Sequence, residues 1–189
     1  MEYSEEFINE FKKQREEDRL KRIQSENLTN EIRQSFFEGK ITSLQAFWHT
    51  NISDCDWNLQ PHKLDFQVSN GNLAIITNVS LEKLIDHLVP YQKKMFKERQ
   101  LFNGSLDDTN TAKIINHWLH SERLIPPTIL IVDEKFPNPA GNIQIEFNDE
   151  FHPVDGKHRL NVANYFGTAS IPIVVIERQE QKIRDIFSM

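Results

Sequence analysis

Residues 155–159 combine a turn and side chains that could bind an anion. They read Asp155, Gly156, Lys157, His158 and Arg159. Asp-Gly predicts a tight turn, and the residues after it predict a helix whose first turn carries the basic side chains. A helix N-terminus presents unpaired backbone N–H groups and the positive end of the helix dipole. Basic side chains are unfavourable there unless they share an anion, so the run indicates a phosphate site.

Asp155 has three chemical roles open to it in such a turn. It could cap the helix, bind a metal ion or act as a base. The alternative interpretation of the run is a capped surface helix with solvated charges, because a strand, an Asp-Gly turn and a helix often follow one another. Both interpretations stay open from these residues alone.

Two strands and a helix must position this run. Alternating apolar residues before the turn predict an extended approach through 143–147 and 151–154. Leu160 and Ala163 give the following helix an apolar side, and Gly167 is placed to end it. A continuous apolar run within 170–177 then predicts a buried strand.

These elements carry a family resemblance. Residues 155–159, followed by Ala163, Gly167 and the Ile-Pro-Ile-Val-Val run at 171–175, resemble the signature of the ParB/sulfiredoxin superfamily. In that signature a Gly-x-Arg/His-Arg turn opens a helix, and an alanine, a glycine and an Ile/Val-Pro-x-x-Val strand follow. The order and spacing of these short motifs carry the resemblance.

Upstream segments agree with the same family in order. Residues 90–93, Pro-Tyr-Gln-Lys, are similar to the Asn-Pro-Tyr-Gln-Pro-Arg box of ParB, with Lys93 in place of the arginine. Residues 114–132 resemble the helix, turn and strand that follow this box. The resemblance therefore spans roughly residues 73–177.

The resemblance implies an α+β fold, a ParB/sulfiredoxin-like small mixed sheet flanked by helices. We expect residues 64–189 to form this domain and residues 1–63 to form an N-terminal helical extension. In the extension, helices are predicted at 4–24, at 28–38 and at 43–48. The apolar residues of the first helix are expected to pack on their own domain, with a protein partner as the alternative.

The resemblance also implies nucleotide chemistry at the turn, with Mg²⁺ and ATP or CTP as cofactors. Four residues are candidates for catalysis. Arg159 would clamp phosphate oxygens, and His158 would donate a hydrogen bond or act as a general acid. Asp155 or Glu134 would hold the metal ion or position water.

Nucleotide binding and DNA binding would use overlapping residues. The implied nucleotide-binding set is Gly156, Lys157, His158, Arg159, Gln92 and Lys93. DNA would contact the densest basic run of the chain, which comprises Lys93, Lys94, Lys97 and Arg99. The alternative for this basic run is a solvated helix face.

Composition narrows the class of protein. The 189 residues carry a formal net charge of −6, so DNA contact would have to come from a local patch. Cys55 is the only cysteine, which excludes a disulfide within the chain and a cysteine-based zinc site and fits a reducing cytoplasm. The sequence shows no signal peptide and no apolar run long enough to span a membrane, so a cytoplasmic location is expected.

The expected activity is hydrolysis of a nucleoside triphosphate, together with nuclease activity on DNA. Sulfiredoxin chemistry is excluded because Lys157 stands where its turn needs a cysteine, and the twelve residues after Glu177 leave no room for ParB's DNA-binding and dimerisation regions. A stand-alone domain of this size is also similar to plasmid fertility-inhibition factors, which block type IV secretion of DNA–protein substrates. That similarity would add a secretion or conjugation protein as partner. The alternatives are a catalytically silent partner-binding protein and a small-molecule (amino acid) kinase.

Overall fold

The computed structural model describes residues 4–55, 72–98, 100–103, 108–131 and 150–189. Within them the chain forms six α-helices and four strands, which confirms the α+β class. The helices are α1 (Glu5–Phe37), α2 (Leu81–His87), α3 (Pro90–Lys97), α4 (Asp108–Leu119), α5 (Lys157–Tyr165) and α6 (Glu180–Phe187). The strands are β1 (Leu73–Ser80), β2 (Thr128–Ile131), β3 (Phe151–Asp155) and β4 (Ser170–Ile176). Short 3₁₀ helices occupy Ile52–Asp54 and Glu177–Gln179.

The four strands form one mixed sheet in the order β1–β4–β2–β3. β1 pairs with β4 and β2 pairs with β3 in antiparallel fashion, whereas β2 and β4 run parallel. β4 therefore lies inside the sheet, and every residue of β4 after Ser170 is buried. Burial on both faces is the reason that this strand is a continuous apolar run instead of an alternating one.

A single cluster of buried side chains joins the sheet to the helices. It includes Leu84, Phe96, Ile115, Phe151, Leu160 and Ile183, all at most 2% exposed. Ile32 of α1 and Trp48 belong to the same cluster, and the Trp48 ring meets that of Trp118 edge to face at 5.0 Å. The C-terminal part of α1 and the segment after it thus pack on the sheet domain.

α1 is one continuous helix, so the prediction of two separate helices at 4–24 and 28–38 is wrong. The predicted end of the second helix is confirmed at Gly39, which has a φ of +70°. The Gly39 N–H donates to the Phe36 carbonyl and the Lys40 N–H donates to the Ser35 carbonyl. This pattern is a Schellman motif, which satisfies the last carbonyls of a helix and favours glycine at its left-handed residue.

The N-terminal part of α1 does not pack on the described part of the domain, contrary to expectation. Its apolar side chains are 39–56% exposed; they are Phe7, Ile8, Phe11, Leu20 and Ile23. At 100° per residue, Leu20 and Ile23 lie roughly 120–220° around the helix axis from Phe7 and Phe11. The five residues therefore lie on different faces and do not form the one stripe that packing on a core requires.

Residues 43–48 form no helix, so the helix predicted there is wrong. The Leu124 N–H donates to the Phe47 carbonyl, and the His49 N–H donates to the Leu124 carbonyl. The Trp118 indole N–H donates to the same Phe47 carbonyl at 3.1 Å. Tertiary hydrogen bonds to a distant segment replace the local ones that a helix would have made, which overrides the helical propensity of this stretch.

Two of the predicted features lie outside the described residues. These are the domain boundary between 63 and 64 and the extended approach at 143–147. Among the helices that the structure describes, none combines the length and the apolar character needed to cross a membrane.

Gln179 completes the hydrogen bonding of β2 where the pairing with β4 stops. β2 and β4 are paired through Thr128 and Val174. Further along β2, the Gln179 side chain accepts from the Ile131 N–H at 3.1 Å and donates to the Ile131 carbonyl at 2.7 Å. Gln179 is 8% exposed and Ile131 is 2% exposed, so water does not replace these bonds readily.

Gln179→Ala should lower the free energy of unfolding by about 2–4 kcal/mol, because a buried N–H and a buried carbonyl lose their partner. Urea unfolding monitored by tryptophan fluorescence measures this difference. The control is Gln181→Ala, since the Gln181 side chain donates to exposed Asp185 on the surface of α6. Equal stability of the two variants would contradict the assigned role of Gln179.

Candidate functional site

The predicted turn at 155–159 forms where β3 meets α5. Gly156 has a φ of +83° and occupies the N-cap position of α5, whose first residue is Lys157. The Leu160 N–H donates to the Gly156 carbonyl at 2.9 Å and so begins the helix. The strand, turn, helix and strand predicted over 151–176 are therefore confirmed, including a φ of +73° at Gly167 after the helix.

Gly156 is required here for two reasons. Its left-handed backbone conformation is unfavourable for residues that carry a Cβ atom. A Cβ at this position would also lie 2.7 Å from the Pro127 Cα and 3.0 Å from an Arg159 Nη atom. The Asp155-Gly156 turn therefore lies in close contact with the Pro126-Pro127 segment that leads into β2.

Asp155 pairs with Arg159. Of the three roles open to Asp155, the N-cap position is occupied by Gly156. The Asp155 carboxylate instead accepts from an Arg159 Nη atom, four residues later. The Asp155 side chain is 38% exposed, whereas that of Arg159 is 11% exposed.

The Arg159 guanidinium is a buried charge that needs this partner. Burial lowers the pKa of Arg159 below its ordinary value, and the charge of Asp155 acts in the opposite direction. A guanidinium nevertheless stays protonated, so the side chain is buried as a cation. Burying an unpaired charge is costly, so the Asp155 carboxylate stabilises the buried Arg159 cation by pairing with it.

A cavity of about 330 Å³ opens in front of the turn. α5 and the turn supply one wall, and α4, which packs on α5, supplies the other. The described lining residues are Asn110, Lys113, Ile114, His117, Leu124, Asp155, Gly156, His158 and Arg159. The structure therefore brings Asp155, Gly156, His158 and Arg159 together, as predicted from their adjacency.

The wall from α4 was not predicted as part of the site. Asn110, Lys113 and His117 follow one another at helical spacing, which places them on one side of α4. That spacing is visible in the sequence, but nothing in the sequence indicates that this side of α4 faces the turn.

His117 of α4 and His120, which directly follows this helix, have different partners. His117 Nδ1 pairs with the Glu122 carboxylate, and His120 Nδ1 lies 2.8 Å from the Asn116 carbonyl. Within the described ranges, no group of three His, Cys, Asp or Glu side chains is arranged to hold a metal ion. The metal ligand and catalytic residue predicted at Glu134 lies outside those ranges.

Lys157 contributes its charge on another side of the turn. It is not among the described residues that line the cavity. Burial lowers the pKa of His152, the charge of Glu150 opposes this shift, and the charge of Lys157 adds to it. The charge of Lys157 thus acts on His152 of β3, next to the site. The predicted contact of Lys157 with a nucleotide stays a prediction.

Pro90 and Lys93 of the ParB-like box line a different cavity. This second cavity, of about 680 Å³, is bordered by Lys93, Lys94 and Lys97 of α3 and by Asp86 of α2. Lys93 and Lys97 lie 3.2 and 2.9 Å from one Asp86 carboxylate oxygen. The hydrogen bonds from Lys97 and Lys93 lower the pKa of Asp86, so part of the positive charge predicted to meet DNA is neutralised within the protein.

Two further residues of this region were predicted to bind a ligand: Gln92 a nucleotide and Arg99 DNA. Gln92 is 2% exposed and donates to the Tyr91 hydroxyl at 2.7 Å, so its amide lies in the interior. Arg99 lies outside the described residues. Neither Gln92 nor Lys93 is among the described residues that line the 330 Å³ cavity, so their predicted contact with a nucleotide at the turn stays a prediction.

Two asparagines of α5 form hydrogen bonds to α3 and to the segment after it. Asn164 donates to the Phe96 carbonyl at 2.6 Å, and Asn161 donates to the Gln100 carbonyl at 3.0 Å. Both asparagines are at most 5% exposed. They satisfy carbonyls at and beyond the end of α3, which fastens the lysine-bearing helix to the helix that carries His158 and Arg159.

In comparisons with protein-family models, curated proteins and solved structures, nothing matches this chain. The resemblance to the ParB/sulfiredoxin superfamily therefore rests on the residues that carry it.

Gly156→Ala should destabilise the protein by about 2–5 kcal/mol, because a left-handed alanine costs about 1–2 kcal/mol and the overlap with Pro127 adds a similar amount. Denaturant unfolding measures this loss. Gly39→Ala is the matched control, since Gly39 has a similar φ but no atom within 4 Å of its Cβ position. A loss no larger than that of the control would show that the Pro127 contact carries no weight.

Asp155→Asn should destabilise the protein by about 1–3 kcal/mol; the cost of leaving a buried cation unpaired is reduced here because Asp155 is partly exposed. Thermal and denaturant unfolding both report this change. In the control, Glu16→Gln removes an ion pair to Arg19 on the solvated surface of α1 and should leave the unfolding midpoint unchanged. If Asp155→Asn is as stable as the wild type, Arg159 does not need the Asp155 carboxylate as its partner.

Proposed function

We propose that the protein binds a nucleoside triphosphate with its phosphates at the turn of residues 155–159 and hydrolyses it. The observation that carries this proposal is the cavity in which a helix N-terminus, Lys113 and Arg159 lie together. Backbone N–H groups, the helix dipole and cations all favour an anion at such a place. The ParB/sulfiredoxin-like fold belongs to the same proposal and is supported by the order of strand, glycine turn, helix and buried strand.

Hydrolysis would require stabilisation of negative charge as water attacks the terminal phosphorus. The bond from that phosphorus to the bridging oxygen breaks, which releases inorganic phosphate and a nucleoside diphosphate. The protein contributes mainly position and positive charge to such a reaction. The N–H groups at the start of α5 and the Arg159 fork would bind phosphate oxygens, and His158 would donate a hydrogen bond to one of them.

Asp155 fits a role beside Mg²⁺ in this proposal. A magnesium ion usually reaches a protein with phosphates and takes only one or two carboxylates from it. Asp155 is the carboxylate among the described residues that line the cavity, and its side chain is 38% exposed. The ion would supply further positive charge at the phosphates, while Asp155 would divide its oxygens between the ion and Arg159.

A second candidate is a protein that binds nucleotide without turnover. The observation that favours it is the Asp155–Arg159 pair, which already uses an Nη atom of the buried guanidinium. A guanidinium that is engaged and neutralised in this way stabilises a phosphoryl transition state less than a free one does. Nuclease activity on DNA would draw on the same groups, so the same variants test it.

Arg159→Lys should reduce hydrolysis of ATP or CTP in the presence of Mg²⁺ by about 10²-fold or more, because lysine keeps the charge but loses the two-pronged donor geometry. Release of inorganic phosphate is measured beside the wild type. Arg184→Lys is the control, since Arg184 pairs with Glu180 at the same four-residue spacing on α6, outside the lining of the cavity.

Three results are distinguishable. Wild-type turnover with loss in Arg159→Lys alone supports the enzyme. Nucleotide binding by calorimetry without phosphate release supports the silent alternative. Absence of both binding and turnover in the folded wild type would overturn the proposed function.

A further inference from the structure

The charges around the 330 Å³ cavity point to Lys113, on α4, as the cation that a bound phosphate meets first. Among the described lining residues, Lys113 and Arg159 carry a permanent positive charge and Asp155 carries a negative one. Asp155 and Arg159 compensate each other as an ion pair. The remaining positive charge of the described lining is therefore that of Lys113.

Lys113 itself is available to a ligand. Its residue is exposed, and it forms no ion pair with the described part of the chain. The other charged groups nearby on α4 are engaged elsewhere: Asp108 lies 3.7 Å from Arg33 of α1, and His117 pairs with Glu122. The carboxylates of Asp108 and Glu122 are thus paired with other residues, so an anion need not displace either of them from Lys113.

The placement of Lys113 is as important as its charge. It stands on α4, across the cavity from the first turn of α5, and α4 packs directly on α5. A phosphate between the two helices could accept from the α5 backbone N–H groups on one side and from the Lys113 ammonium on the other. Two walls from separate elements define a ligand position better than one helix end does.

We propose that Lys113 is the principal phosphate-binding side chain of this cavity, and that the ligand's terminal phosphate bridges α4 and α5. This inference rests on the proposed function, because it assigns the phosphate contact within the same site. Arg159 both anchors the turn and contacts the phosphate, while Lys113, distant in sequence, supplies the accessible positive charge that no ion pair compensates.

The test is calorimetric binding of ATP and CTP with Mg²⁺, and of inorganic phosphate alone, to the full chain. Lys113→Gln should weaken binding of each probe by about 10- to 100-fold, the loss of one charge-assisted hydrogen bond. Lys113→Arg should restore most of the affinity. The control Lys21→Gln changes an exposed lysine of α1 and should bind like the wild type.

The outcomes separate this inference from the proposed function. Wild-type binding that Lys113→Gln leaves unchanged overturns the role of Lys113, while the proposed function stands. No binding by the wild type overturns both. Thermal unfolding is compared as well, and since Lys113 is exposed, Lys113→Gln should melt like the wild type.

Discussion

The buried cation at Arg159 is the constraint on which the structure around the turn depends. The Arg159 side chain is only 11% exposed, so its charge must be paired, and Asp155, four residues earlier, lies at the end of β3 where it can pair. The residue between the strand and the helix must then turn sharply against Pro127 without a Cβ atom, so it is Gly156. Charge pairing, backbone conformation and close approach therefore act on the same few residues.

The same turn connects the rest of the fold. α5 follows it, packs on α4 and fastens α3 through Asn161 and Asn164, while β4 continues into the centre of the sheet. A ligand at the turn would therefore touch an element that is held on several sides. This arrangement suits a site whose donors must be positioned in advance, because preorganised donors cost no rearrangement when charge develops.

Predictions from the sequence succeeded where the signal is local. Gly39 and Gly167 end helices and Gly156 begins one, since each needs a left-handed backbone that glycine adopts without strain. The buried strand β4 was predicted from its apolar run. Predictions failed where distant segments decide. Residues 43–48 form no helix, because Phe47 and His49 bond to Leu124 instead. The prediction for the N-terminal part of α1 failed for another reason: its apolar residues lie on different faces of the helix and are exposed.

The sequence by itself determined the turn, its flanking strand and helix, and the presence of basic residues at a helix N-terminus. Turns and helix ends depend on the types of neighbouring residues, so they can be predicted from the sequence. Only the tertiary structure decided which charges of the chain are paired within the protein and which line the cavity. Asp155 neutralises Arg159, Asp86 draws in Lys93 and Lys97, and Lys113 comes to the cavity from α4. Pairing between charges depends on distances through space, and residues far apart in sequence reveal those distances only after folding.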